Sequence, residues 1–219
     1  MTRNIWYSAG WAAIALYARL MLNLDVAGRD RIPAGSKLIV ANHPSSSDPF
    51  YLPLIFRHPI DMLLIDSAFL LPPLGAFLRR VGQISVTCGD GHTAFAEAHR
   101  RLTSGRSVAL FPEGNVSPHG GGTLTPRGGA ARLALTTDVP VLPVGIGLPR
   151  DRVRHVRATI RGRSLNGHWH LRGPYAMTVG EPLRFEGDVS DTAHVASVSS
   201  RIMNTITSLA SESERRLHR

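Results

Sequence analysis

The sequence predicts a single α/β domain, a mixed and mostly parallel sheet covered by helices, with an N-terminal helix that associates with membranes. Three observations lead there. From Lys37 onward, short apolar runs alternate with longer amphipathic ones, the pattern of strands joined by helices that pack back onto their own sheet. Residues 5–24 form an apolar, aromatic-rich stretch of a different kind. At 219 residues the chain can bury on the order of 70% of its unfolded surface in one core, and no second catalytic domain is expected. The expected division is an N-terminal apolar segment over 1–28 and a catalytic domain over 29–219.

The first segment carries Trp6, Tyr7, Trp11 and Tyr17, with Arg3 before its apolar part and Arg19 within it. Twenty helical residues just reach across a bilayer core. Arg19 would have to snorkel in such a span, and Trp and Tyr prefer the headgroup region, so a helix lying in the interface is favoured over one that crosses. A helix packed on the core or on a second copy is the third reading. No small-x-small cleavage site follows, which argues against a signal peptide.

Further on, the apolar run at 38–40 reads as a buried strand, and so does 62–65. Residues 67–80 read as a helix broken near Pro72-Pro73, residues 83–87 as a strand, and 93–103 as a helix stopped by Gly105. A strand at Val108 follows, then a helix whose first turn holds Pro126, then a strand over 141–146. The final helix, about 190–217, has one apolar stripe of Val195, Val198, Ile202, Ile206 and Leu209, which fits a helix covering the sheet. Gly120-Gly121-Gly122 marks the 114–125 loop as locally mobile.

Two of the strand ends carry polar groups. The 38–40 strand runs into Asn42-His43-Pro44-Ser45-Ser46-Ser47-Asp48-Pro49, placing an imidazole and a carboxylate five positions apart. A neutral imidazole can take a proton from an alcohol, and a carboxylate on its other nitrogen fixes the tautomer and stabilises the imidazolium. A loop histidine beside a helix-capping aspartate is the alternative reading. Some seventy residues later, the Val108 strand ends in Phe111-Pro112-Glu113-Gly114-Asn115.

Together with Val139-Pro140-Val141-Leu142-Pro143 and Val179-Gly180-Glu181-Pro182, these motifs make residues 35–185 resemble the glycerolipid acyltransferase family that includes the 1-acylglycerol-3-phosphate acyltransferases. The family's His-x4-Asp motif is matched by His43 and Asp48, its Phe-Pro-Glu-Gly motif by 111–114, and its proline-flanked apolar motif by 139–143. The resemblance implies a membrane-associated O-acyltransferase of phospholipid biosynthesis, acting on 1-acyl-glycerol-3-phosphate or on another lysolipid. His43 is the expected general base and Asp48 its orienting partner. Glu113, Gly114, Asn115 and Arg127 are the expected acceptor-site residues, and Gly114 and Ser45 the oxyanion or loop candidates. No metal or redox cofactor is expected; acyl-CoA or acyl carrier protein would be the co-substrate. The expected place of work is the cytoplasmic face of the cell membrane, as a peripheral or monotopic protein.

The sequence also departs from that family. Phosphatidate-forming members usually continue Phe-Pro-Glu-Gly with Thr-Arg, where this chain has Asn115-Val116. Their Gly-x-Ile segment commonly ends in arginine, whereas Gly82-Gln83-Ile84 leads into Thr87-Cys88-Gly89. Two cationic contacts are missing, and Arg127, Arg79 and Arg80 are the candidates to replace them.

Composition narrows the alternatives. The formal charge of +9 comes almost wholly from arginine, Lys37 being the only lysine, and favours anionic partners: lipid, coenzyme A, an acidic carrier protein or nucleic acid. Cys88 is the sole cysteine, which excludes an intramolecular disulfide and a thiolate metal cluster. No Gly-x-Ser-x-Gly elbow, Gly-x4-Gly-Lys loop, Gly-x-Gly-x-x-Gly turn or His-Glu-x-x-His pair occurs. His168 and His170, flanking Trp169, read as part of a surface hairpin rather than a metal site. The arginines at 152, 154, 157, 161 and 163 are read as lining one face of a strand or hairpin. Contact with anionic headgroups ranks first for them, a solvated edge second, and a nucleic-acid backbone third.

Overall fold

The computed structural model describes residues 2–87, 89–117, 125–160 and 163–217. The chain opens with α1 (Thr2–Met21), followed by β1 (Leu22–Ala27), β2 (Leu38–Ala41), the short α2 (Asp48–Tyr51) and β3 (Ile60–Ile65). Then come α3 (Leu74–Arg80), β4 (Ile84–Val86), α4 (Gly91–Thr103), β5 (Ser107–Leu110), α5 (Gly129–Thr136) and β6 (Val141–Gly147). The hairpin β7 (Arg154–Ile160) and β8 (Arg163–Trp169), the strand β9 (Gly173–Val179) and the long α6 (Thr192–Arg216) complete it.

Seven strands form one sheet in the order β1-β9-β6-β2-β5-β3-β4. The strands from β6 to β4 run parallel; β9 meets β6 antiparallel, and β1 lies parallel to β9 at the edge. Because successive strand residues face opposite sides, β2 sends Ile39 and Ala41 into one apolar cluster and Leu38 and Val40 into another. The first cluster is closed by α1 and the segment after α2, the second by α4, α5 and α6. Both faces are covered, which is why β2 and β5 read as uninterrupted apolar runs.

The stripe Val195, Val198, Ile202, Ile206 and Leu209 of α6 is buried. This helix sits very close to the sheet, because β6 presents Gly145 and Gly147 beneath it. A Cβ at Gly145 would lie 2.1 Å from the backbone of Leu209 and Ala210.

Three expectations need correction. The N-terminal helix stops at Met21, not residue 24, and Leu22 begins a strand, so the 1–28 segment holds an edge strand of the main sheet as well as a helix. The reason is long-range: β1 pairs with β9, residue for residue from Leu22↔Gly173 to Ala27↔Thr178, a partner no local pattern announces. No helix among the described residues is long and apolar enough to cross a membrane, which removes the spanning reading of α1. The hairpin arginines do not share a face, since Arg154 and Arg157 are an odd number of residues apart on one strand and point to opposite sides. Arg161 and the Gly120-Gly121-Gly122 stretch lie outside the described residues.

Helix α1 is fastened at its start. Arg3 reaches Asp61 on β3 and the carbonyl of Val81, and the same buried carboxylate faces Arg101 at 3.2 Å and Arg106.

Candidate functional site

The parallel register places the site. Val40 on β2 lies beside Leu110 on β5, and three residues beyond each come His43 and Glu113, so both loops leave the carboxyl ends of neighbouring strands together. The backbone N–H of His43 donates to Glu113 Oε1 at 3.1 Å. The hydroxyl of Ser117 sits 3.0 and 2.9 Å from the two oxygens of that carboxylate, and the Ser117 amide donates to the carbonyl of His43 at 2.7 Å. Glu113, buried, therefore ties the two loops together.

His43 and Asp48 meet. Nδ1 of His43 is 2.9 Å from Asp48 Oδ2, and the ring stacks on Phe111 with centroids 4.0 Å apart. Asp48 is fully buried, so its carboxylate must have partners. It has three: His43, the Ser45 amide to Oδ2 at 2.8 Å, and the Tyr175 hydroxyl to Oδ1 at 2.8 Å. Burial, with the nearby charge of Asp48, pushes the Tyr175 phenol well above its ordinary value, so it remains a proton donor. An acceptor-only carboxylate facing Nδ1 assigns the hydrogen to that nitrogen and leaves the Nε2 lone pair available. The helix-capping alternative for Asp48 does not describe these contacts.

The loop is braced from two further sides. The side chain of Asn42 exchanges hydrogen bonds with Ile146 of β6, donating to its carbonyl at 2.8 Å and accepting from its amide at 2.7 Å. Ser45 donates its hydroxyl to the carbonyl of His168 at 2.8 Å and accepts from the His170 amide at 3.0 Å. Ser46 and His168 exchange a reciprocal pair, Ser46 N–H to His168 O at 2.7 Å and His168 N–H to Ser46 Oγ at 3.0 Å.

These bonds correct the oxyanion reading of Ser45 and Gly114. The Ser45 amide is engaged by Asp48, and that of Gly114 by the Phe111 carbonyl at 2.9 Å, so neither points at a substrate oxygen. Gly114 has another use. Its φ is +69°, a conformation natural to glycine, and a Cβ there would lie 2.6 Å from Nε of Arg127. The bare glycine lets the guanidinium lie across the turn, and the Arg127 amide donates to the Pro112 carbonyl at 2.8 Å. Asn115 is exposed at the rim.

His43, Gly114, Asn115, Val116 and Arg127 all border one cavity of about 1860 Å³, which continues under α1 past Tyr7, Trp11 and Ile14. Its wall is mainly apolar. The hairpin borders it with Val156, Ala158 and Trp169. His170 is fully buried rather than on a hairpin surface, and burial lowers the pKa of its imidazole. Among the described residues no group of three His, Cys, Asp or Glu side chains is arranged to hold a metal ion. Sequence reasoning missed Asn42, Ser117 and Tyr175.

A family model described as Acyltransferase matches residues 23–147. The chain is 31% identical over 127 residues to the 1-acyl-sn-glycerol-3-phosphate acyltransferase of Borreliella burgdorferi, covering 56% of this chain and 50% of that protein. To the enzyme of the same name from Saccharomyces cerevisiae it is 29% identical over 133 residues, 58% and 44% of the two. The chain thus spans about half the length of the curated relatives it matches. In fold it is similar to the crystal structure of the 1-acyl-sn-glycerophosphate (LPA) acyltransferase from Thermotoga maritima, with a TM-score of 0.66 at 23% identity over 94% of this chain and 79% of that one. With more than half of its length inside the family model, the chain belongs to the acyltransferase family.

Proposed function

We propose that this protein moves a fatty acyl group from a thioester, acyl-CoA or acyl carrier protein, to the hydroxyl of a lysolipid, with 1-acyl-glycerol-3-phosphate as acceptor. The observation that carries the reading is the His43–Asp48 contact on the border of a large, mainly apolar cavity. In the reaction, the acceptor oxygen forms the new ester bond to the thioester carbonyl carbon while its proton passes to Nε2 of His43. The tetrahedral carbon then expels the thiolate, the C–S bond breaks, and the thiolate takes the proton from the imidazolium. Asp48 holds the ring and stabilises its charged form throughout. The apolar cavity accommodates acyl chain, and Glu113 keeps the two catalytic loops in register. Arg127, lying over Gly114 with no acidic partner among the described residues, is the guanidinium placed to receive the acceptor phosphate. The work is done at the cytoplasmic face of the membrane, with α1 lying in the interface; Leu20 of that helix is 70% exposed.

A second acceptor is favoured by one observation. Val116 borders the cavity where phosphatidate-forming relatives have arginine, so a lysolipid with another headgroup, such as an amino-acid lipid, fits if Arg127 does not compensate. The test offers the purified protein one acyl thioester with lysophosphatidate, other lysophospholipids and a lyso-amino-acid lipid in parallel. His43→Ala lowers transfer at least about a hundredfold while the protein stays folded, and Asp48→Asn is strongly impaired. Near-normal turnover in His43→Ala sinks the mechanism. Lysophosphatidate turnover untouched by Arg127→Ala removes the phosphate role of that residue.

A further inference from the structure

The β7–β8 ribbon stands apart from the seven-stranded sheet, its strands paired only with each other among the described residues. Side chains 154–159 are exposed on both of its faces, and a lone two-stranded hairpin is marginal in water. This one is held at its root by Ser45 and Ser46, whose bonds to His168 and His170 are described above. Its charge is one-sided. From residue 152 to 180 the chain has no Asp or Glu, while Arg152, Arg154, Arg157 and Arg172 are all exposed. Apolar groups lie among them, Val156 at 49% and Leu171 at 42% exposure. The root is joined to α1, where the Tyr17 hydroxyl donates to the Leu171 carbonyl, and that helix exposes Leu16, Leu20 and Met21.

We propose that the β7–β8 ribbon, sunk into the headgroup layer so that both of its faces meet lipid, forms with the exposed apolar face of α1 a docking surface for an anionic lipid bilayer that seats the mouth of the cavity on the membrane. The proposal rests on the acyl-transfer reading of the site, since it supplies the surface from which a lysolipid reaches His43. Phosphodiester headgroups neutralise guanidinium groups that lack carboxylates nearby, and the interleaved apolar side chains enter the headgroup boundary. An acidic carrier protein would use the arginines but leaves the apolar face of α1 uncovered. Val156, Ala158 and Trp169 border the cavity that His43 borders, so a bilayer against the ribbon lies at its opening.

The test is sedimentation of the full chain with sucrose-loaded vesicles of phosphatidylcholine alone or with one third phosphatidylglycerol. Each arginine near an anionic surface is worth about fivefold in partitioning, so Arg154→Gln combined with Arg157→Gln lowers binding to the anionic vesicles roughly 25-fold. Binding to phosphatidylcholine alone is unchanged, and the double replacement by lysine restores the anionic component, which separates charge from misfolding. Transfer to a short-chain, monodisperse lysolipid is retained in both variants. Equal partitioning of the wild type and the glutamine variant overturns the proposal. So does a glutamine variant that keeps its vesicle affinity and loses affinity for an acyl carrier protein, which would assign the ribbon to that partner. Partitioning needs no turnover, so it decides this surface even where the acyl-transfer assay fails.

Discussion

Tyr175 donates its hydroxyl hydrogen to Oδ1 of Asp48 at 2.8 Å, across 127 residues of sequence. The bond fixes the oxygen of Asp48 that His43 does not use, so the aspartate cannot swing without leaving a buried lone pair unmatched. Tyr175→Phe keeps the ring and removes the donor. It costs about 1–3 kcal/mol of stability and lowers kcat about tenfold with KM little changed. Steady-state kinetics beside a denaturation curve checks both, and a variant with unchanged kcat limits Tyr175 to packing.

Gly114 and Arg127 make a second pair that can be tested by addition. Gly114→Ala strains a φ of +69° and drives a methyl group into the guanidinium, so it displaces Arg127. Both Gly114→Ala and Arg127→Ala raise KM for lysophosphatidate, each by about tenfold, the loss of one charge-assisted contact. The double variant is scarcely worse than either single one, since each removes the same contact. Fully additive effects in initial-rate measurements would separate the two residues.

Asp61 concentrates the attachment of α1. Its buried carboxylate faces Arg3, Arg101 and Arg106, so Asp61→Asn leaves Arg3 and Arg106 without their carboxylate and Arg101 with Glu97 alone. The expected loss is about 3–5 kcal/mol. Chemical denaturation measures it, and trypsin cutting at Arg3 faster than in the wild type reports the freed helix start.

Stability also depends on pH through two imidazoles, that of His170, fully buried, and that of His58, exposed but partly desolvated beside Lys37. Burial lowers the pKa of His170, and partial desolvation with the charge of Lys37 lowers that of His58, whose Nε2 is 3.4 Å from the Lys37 ammonium. In the unfolded chain these rings take up protons near their ordinary value of about 6.5. The unfolded state therefore binds more protons below that pH, and stability falls as the pH drops through it. The thermal midpoint should decline by a few degrees from pH 7.5 to 5.5, and less steeply in His170→Phe. An equal decline in that variant would clear His170 of a part in it.

The parts of the fold that could be read from sequence are those governed by local rules. Apolar runs and stripes located β2, β5, β6, α6 and the 62–65 part of β3, because both faces of the sheet are covered there. The strand β1 escaped because Leu22–Ala27 follows the apolar helix without a break and its partner β9 is far along the chain. The site divides in the same way. His43, Glu113 and Gly114 sit in loops just after strands and Asp48 at the start of α2, and all four were visible as motifs. Tyr175, Ser117 and the serine bonds to His168 depend on distant segments being brought together, and a hydroxyl in sequence says nothing of the carboxylate or carbonyl it will meet.

The pairing of β1 with β9 has a consequence for how the protein is made. As the chain leaves the ribosome, α1 and β1 emerge well before β9, so Leu22 has no strand to join until Gly173 appears. During most of synthesis the aromatic helix is without its finished sheet edge, and late, non-local pairing is the slow part of folding. A nascent chain in that condition has a long interval in which the apolar side of α1 lacks its final cover. The order of the strands thus sets a schedule in which the aromatic helix is made long before the aspartate's hydrogen bonds can be completed, because β9, which carries Tyr175, is the last strand of the sheet.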